Sequence, residues 1–139
     1  MNEQTVKQTG HPKGLWVLFG TEMWERFGYY LMIGIFLLYL KNVEHGFAMT
    51  NSEASDLYGT FIALVFLTPF IGGLVADRYL GYRKSIVIGG LMMGAGYFMM
   101  GIHSLPMLYL AMTLVIVGNG FFKPNISTLL GNFYNDEEY

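Results

Sequence analysis

The chain has 139 residues, 53% of them hydrophobic and only 13% charged, with a net charge of −2. Soluble domains carry about a quarter charged residues, so this balance points to a membrane protein. The near-neutral charge offers no footprint for nucleic acid, and the absence of cysteine excludes disulfides and thiolate metal sites.

The first fourteen residues are polar and lead into an apolar run, 15–40, too long for the hydrophobic part of a cleavable signal peptide. Further apolar runs follow at 57–76, 85–102 and 105–130. A helix needs about 20 mostly apolar residues to cross the hydrocarbon core. Four transmembrane helices over 15–131 are therefore expected, in an all-α membrane fold. Residues 41–56 form a polar connection, 77–84 a short charged one, and 103–106 a tight turn. Gly90 and Gly94 have the small-xxx-small spacing of close helix approach.

Lys7 and Lys13 precede the first span, Arg78, Arg83 and Lys84 lie between the second and third, and Lys41 stands alone between the first and second. The positive-inside rule predicts a multi-pass protein with a cytoplasmic N-terminal segment, 1–14, and a cytoplasmic loop between spans two and three. Residues 132–139 then begin another cytoplasmic loop. The polar segment Asn135, Asp136, Glu137, Glu138 stops as soon as it starts, and the chain is expected to be part of a longer one.

The first span carries Glu22, Glu25 and Arg26 within five residues. At about 100° per residue from Glu22, Arg26 falls near ~40°, Glu25 near ~−60°, Tyr29 near ~−20° and Tyr30 near ~80°. All five share one face, and Met23, Phe27 and Leu31 lie opposite. An interfacial anchor does not explain the charges. Glu22 sits roughly 10 Å inside the span at 1.5 Å per residue, and carboxylates are too short to snorkel far. Each ionisable group facing lipid costs at least about 2.5–3.5 kcal/mol, so these groups face protein or a wet cavity. Burial raises a carboxyl pKa and a nearby cation lowers it. Two carboxylates beside one guanidinium are thus suited to binding and releasing a proton. A second intramembrane cation, Lys123, lies in the fourth span before Pro124, with Asn119 on its face. Together with Arg26 it balances the glutamates two against two. A static salt-bridge cluster is the competing reading.

The second connection, from Gly72 to Lys84, places Gly73 and Asp77 four residues apart on one helix face. An aspartate at a helix C-terminus opposes the helix dipole and needs cations nearby. Arg78, Arg83 and Lys84 are candidates, and Gly81 permits the turn.

These residues form a recognisable pattern. Glu22-x-x-Glu25-Arg26-Phe27 followed by Tyr29 and Tyr30 resembles the ExxERFxYY motif of proton-dependent oligopeptide transporters, a branch of the major facilitator superfamily. Gly73, Asp77, Arg78, Gly81, Arg83 and Lys84 resemble the superfamily motif between helices two and three, one residue longer than its generic form. Phe122-Lys123-Pro124-Asn125 with Ser127-Thr128-Leu129 resembles the branch's fourth-helix signature. The matches run from Thr21 to Gly131. The resemblance implies four helices of the N-terminal bundle of a transporter in the plasma membrane, with peptides and protons as partners. It implies no enzymatic activity and no cofactor. Glu22, Glu25, Arg26 and Lys123 would couple protons to movement. Tyr29, Tyr30 and Lys123 would bind the peptide, and Asp77, Arg78 and Arg83 would act at the cytoplasmic gate. Lipid and the remainder of the transporter would surround the chain. Two positions depart from the pattern: Ile33 stands where many members have Arg, and Phe66 where they often have Tyr. A transporter of another small solute, or a self-contained four-helix structural membrane protein, are the alternatives.

Overall fold

Four helices follow one another: α1 (Lys13–Lys41), α2 (Asn51–Val75), α3 (Tyr82–Met100) and α4 (Leu105–Asn135). The computed structural model describes residues 13–135, with side chains for 14–132. Lys7 and the acidic residues Asp136, Glu137 and Glu138, on which part of the orientation and chain-end expectations rest, lie outside the described residues. The helices overlap all four apolar runs. α2 starts earlier than its run because Thr50 caps it. The Thr50 hydroxyl accepts from the Glu53 N–H at 3.3 Å, and the Glu53 carboxylate accepts from the Thr50 N–H at 3.0 Å. At its other end α2 widens into a π turn, Ala76–Leu80. Gly81 closes that turn with φ 76°, a conformation side chains disfavour, so glycine is required there.

Two of the helical stretches, Asn51–Leu80 and Leu105–Asn132, are long and apolar enough by themselves to cross a membrane. α1 falls short because Glu22, Glu25 and Arg26 interrupt it. α3 is the shortest helix and begins with Arg83 and Lys84 in its first turn. Both depend on their neighbours.

The packing is unequal. α3 and α4 pair most extensively, α2 and α4 next, and α1 touches α2 and α4 sparingly. Glycine sets the α3–α4 distance, but not the glycines whose spacing predicts it. A Cβ added at Gly94 would meet nothing within 4 Å, and one at Gly90 would make only ordinary contact with the Phe122 ring. The close approach runs instead through Gly89, Gly96 and Gly118. A Cβ on Gly118 would lie 2.7 Å from the Gly89 carbonyl oxygen, and one on Gly89 would lie 2.6 Å from that of Gly118. The small-xxx-small spacing is present on α3, but the helix is rotated so that the neighbouring row faces α4.

α2 and α4 are joined by bonds that a proline makes necessary. Pro69 lies inside α2 and has no N–H to give the Val65 carbonyl one turn earlier. In a membrane that oxygen has no water to turn to. Asn119, 2% exposed on α4, donates its Nδ2–H to it at 2.9 Å. Beside it, the Thr68 hydroxyl donates to the Ile116 carbonyl at 3.0 Å. Pro124 likewise deprives the Gly120 carbonyl on α4, and Gly72 of α2 packs its backbone against that oxygen, leaving no room for a Cβ. α4 remains helical through Pro124. Asn119→Leu is expected to lower stability by about 1 kcal/mol, the scale of interhelical hydrogen bonds in membranes. Thermal unfolding in detergent checks this, with Thr113→Val as control, since that hydroxyl only bonds the Tyr109 carbonyl of its own helix.

At the α1–α2 loop, the His103 ring contacts the Gly46 carbonyl and stacks on Phe47 with ring centres 5.0 Å apart, tying that loop to the α3–α4 turn.

Candidate functional site

The central part of α1 distributes its polar residues among different surroundings. Tyr29 is buried, Glu25 and Arg26 are half-buried, and Glu22 and Tyr30 are exposed. Met23, Phe27 and Leu31 on the opposite side are exposed as well. The shared face therefore exists as a helical position but is not one uniform environment.

A cavity of about 320 Å³ lies between α1, α2 and α4. α1 supplies Arg26, Tyr29, Tyr30 and Ile33, and α4 supplies Asn119 and Lys123. Phe66 and Tyr58 line it from α2. Residues far apart in sequence thus converge: both intramembrane cations, three tyrosines and one buried amide, set in otherwise apolar walls. Few polar groups placed in an apolar pocket is the usual make-up of a small-molecule site. The two departures, Ile33 and Phe66, both line this cavity.

The charges do not form a closed four-membered cluster. Among the described residues, the ion pair within 4.0 Å is Arg26 Nε to Glu25 Oε2, at 2.7 Å. The two residues are adjacent on one helix, and neither atom makes a well-directed hydrogen bond. The contact is between charges and leaves hydrogen-bonding capacity unused. Lys123 Nζ lies 5.2 Å from the centre of the Phe66 ring, and Arg26 Cζ lies 6.0 Å from that of Tyr29. Both cations therefore rest on aromatic faces beside the cavity, and for Lys123, which makes no ion pair within 4.0 Å among the described residues, that face stands in for a counter-ion. Glu22 does not line this cavity. Nor does Glu25, which borders a second cavity on the α3 side of α1.

At the far end of α2, Asp77, Arg78 and Arg83 are all exposed, as is Lys84. Gly73 sits against Pro124, 3.5 Å from a Cβ that it lacks. Asp77 makes no ion pair among the described residues. It faces Tyr82, and its negative charge and hydrogen bond push the Tyr82 hydroxyl pKa up. The cations that its position at a helix end calls for are close in sequence but point to solvent.

Tyr58 is missing from the sequence reading, which had no signal for it: a lone tyrosine in an apolar helix is more often packing than lining. Tyr97 of α3 is missing for the same reason.

A family profile described as Major Facilitator Superfamily matches residues 26–139. A di-/tripeptide transporter of Lactococcus lactis subsp. lactis (strain IL1403) is 37% identical over 134 residues, covering 93% of this chain and 27% of that protein. The crystal structure of a peptide transporter, POT, in complex with sulfate superposes with TM-score 0.88 at 36% identity, covering 94% of this chain and 27% of the other. That of a POT family transporter in complex with 5-aminolevulinic acid does so with TM-score 0.86 at 33% identity, covering 91% and 27%. The chain spans about a quarter of the length of these relatives.

Proposed function

Because the chain belongs to the Major Facilitator Superfamily, we propose that it is the part of a proton-coupled symporter for di- and tripeptides that carries the proton site and one wall of the substrate cavity. Its relatives are integral membrane transporters, and the reading here is transport, not enzymatic turnover. The carrying observation is the cavity between α1, α2 and α4, where Arg26, Lys123, Tyr29 and Tyr30 meet. Two cations at one end of an apolar cavity suit the carboxylate of a peptide, and the tyrosine hydroxyls suit its amides. The glutamates of α1 take the proton: Glu25 is enclosed and touches Arg26, so its protonation alters a cation that borders the substrate. Bundles that rock around a fixed midplane site convert that change into alternating access.

In this reading α1 and the α2–α3 connection have their polar ends in the cytoplasm, since Arg78, Arg83 and Lys84 cluster there. Asp77, Arg78 and Arg83 then act at the cytoplasmic gate, facing parts of the transporter that this chain does not include. The test is uptake of labelled dipeptides by the full-length transporter in proteoliposomes, with and without an inward proton gradient. Gradient-driven uptake that unlabelled peptides compete away is expected. Uptake indifferent to both gradient and peptides sinks the proposal.

A second substrate class is favoured by one observation. Ile33 and Phe66 make two cavity positions apolar, so a peptide finds fewer polar partners here. A smaller solute with one carboxylate needs fewer. Competition by amino-acid-sized carboxylates stronger than that by tripeptides would select this reading.

A further inference from the structure

Glu25 faces a second cavity, on the other side of α1. Its side chain is 7% exposed, and both carboxylate oxygens are buried without a hydrogen-bond partner. The cavity it enters measures about 290 Å³ and lies between α1 and α3, bounded by Gly28, Gly90, Gly94, Tyr97 and Phe122. The Tyr97 hydroxyl is also buried and also without a partner. Its ring rests against Gly28, 3.7 Å from where a Cβ would stand, one turn along α1 from Glu25. Two residues whose buried oxygens make no hydrogen bond thus border one cavity. At roughly 30 Å³ per water, its volume leaves room for a bridging water. Glu25 has the Arg26 charge beside it but no hydrogen bond, and the Tyr97 hydroxyl has none either, so each supplies what the other lacks. A phenol donates to a carboxylate and accepts from a carboxylic acid, so it serves both protonation states.

We propose that Tyr97 is a positioning residue for Glu25: its hydroxyl, directly or through water in this cavity, holds the carboxyl group on the α3 side of α1. The inference rests on the reading of Glu25 as a proton carrier. It adds that the proton and the substrate occupy different cavities, with α1 as the wall between them. Arg26 borders the substrate cavity and touches Glu25, so it spans the wall. The other ionisable groups around Glu25 are Glu22 and Tyr29 on α1, the latter's hydroxyl also buried without a hydrogen bond, and Lys123 on α4, while α2 presents Tyr58 to the substrate side only.

The experiment compares Tyr97→Phe, Glu25→Gln and the double variant in the full-length transporter. Phe keeps the ring and removes only the hydroxyl. Without a donor to its charged form, Glu25 holds its proton to higher pH. The midpoint of the pH profile of driven uptake is therefore expected to move up by about one unit, with peptide exchange unchanged. In the Glu25→Gln background the same substitution is expected to change nothing further. The carboxylic acid stretch lost with Glu25→Gln in infrared difference spectra is expected to shift in Tyr97→Phe. An unmoved profile and an unmoved band in Tyr97→Phe overturn the proposal and leave Glu25 as proton carrier if Glu25→Gln still loses driven uptake. Driven uptake that survives Glu25→Gln overturns both readings.

Discussion

Glu25→Gln in the full-length transporter is expected to abolish gradient-driven accumulation of peptide while exchange of labelled for unlabelled peptide continues. Glutamine keeps the shape and the hydrogen-bonding surface of the side chain but cannot take up and release a proton. Each pH unit of gradient is worth about 1.4 kcal/mol per proton, or tenfold accumulation, and the variant forfeits that factor. Exchange needs only the substrate cavity, which Glu25 does not line. Glu22→Gln is expected to have the smaller effect, since Glu22 is exposed and lines neither of the two cavities beside it. Proteoliposome accumulation and counterflow, measured side by side, check this. Equal loss of both would show that the carboxylates are static parts of the packing.

Gly118→Leu is expected to prevent the bundle from assembling. At this position a Cβ would lie 2.7 Å from the Gly89 carbonyl oxygen, 2.8 Å from Met93 Cγ and 2.9 Å from the Met93 nitrogen. Two of these three atoms are backbone and cannot rotate away. Overpacking by a few methylenes costs about 1–3 kcal/mol even where side chains can adjust, and here the helices must separate. Total stability is only about 5–15 kcal/mol. Loss of monodisperse protein after detergent extraction is the readout. Gly94→Ala is the control. It removes a glycine from the same helix pair at a position with nothing within 4 Å, and it gains up to ~1 kcal/mol of helix propensity. An extractable, well-folded Gly118→Leu protein would show that α3 and α4 do not need this approach.

That contrast marks what could be read in the sequence. The helices were legible because apolar runs of membrane length alternate with polar connections and the tight turn at 103–106. The candidate site was legible because ionisable residues in such a run are costly and therefore conspicuous: Arg26 and Lys123 both reach the cavity between α1, α2 and α4. The rotational setting of each helix was not legible. It decides that Gly89, not Gly90, meets α4. It also decides that Lys123 Nζ lies over Phe66, not in an ion pair with Glu22 or Glu25, and that Glu25 turns toward α3. A shift of one residue, about 100°, moves a side chain from one neighbour to another, and helical periodicity in a nearly all-apolar helix carries too little contrast to resolve it. Polar partnerships created by a missing donor, as at Pro69, Val65 and Asn119, also depend on which helix happens to be alongside.

The uneven attachment of α1 has a consequence for biogenesis. It is made before α2, α3 and α4, and Glu22, Glu25 and Arg26 interrupt its apolar run. The cavity that shelters Arg26 needs α2 and α4, and Lys123 and Asn119 arrive only with the last helix of the chain. The three other helices can lock together through α4 by backbone approach and the Asn119 bond without any contribution from α1. α1 is therefore expected to stay beside the translocation machinery while α2, α3 and α4 are made. The residues proposed to serve transport are the same ones expected to delay release into lipid, so a slower or faster exit of the later helices is expected to change how much protein matures.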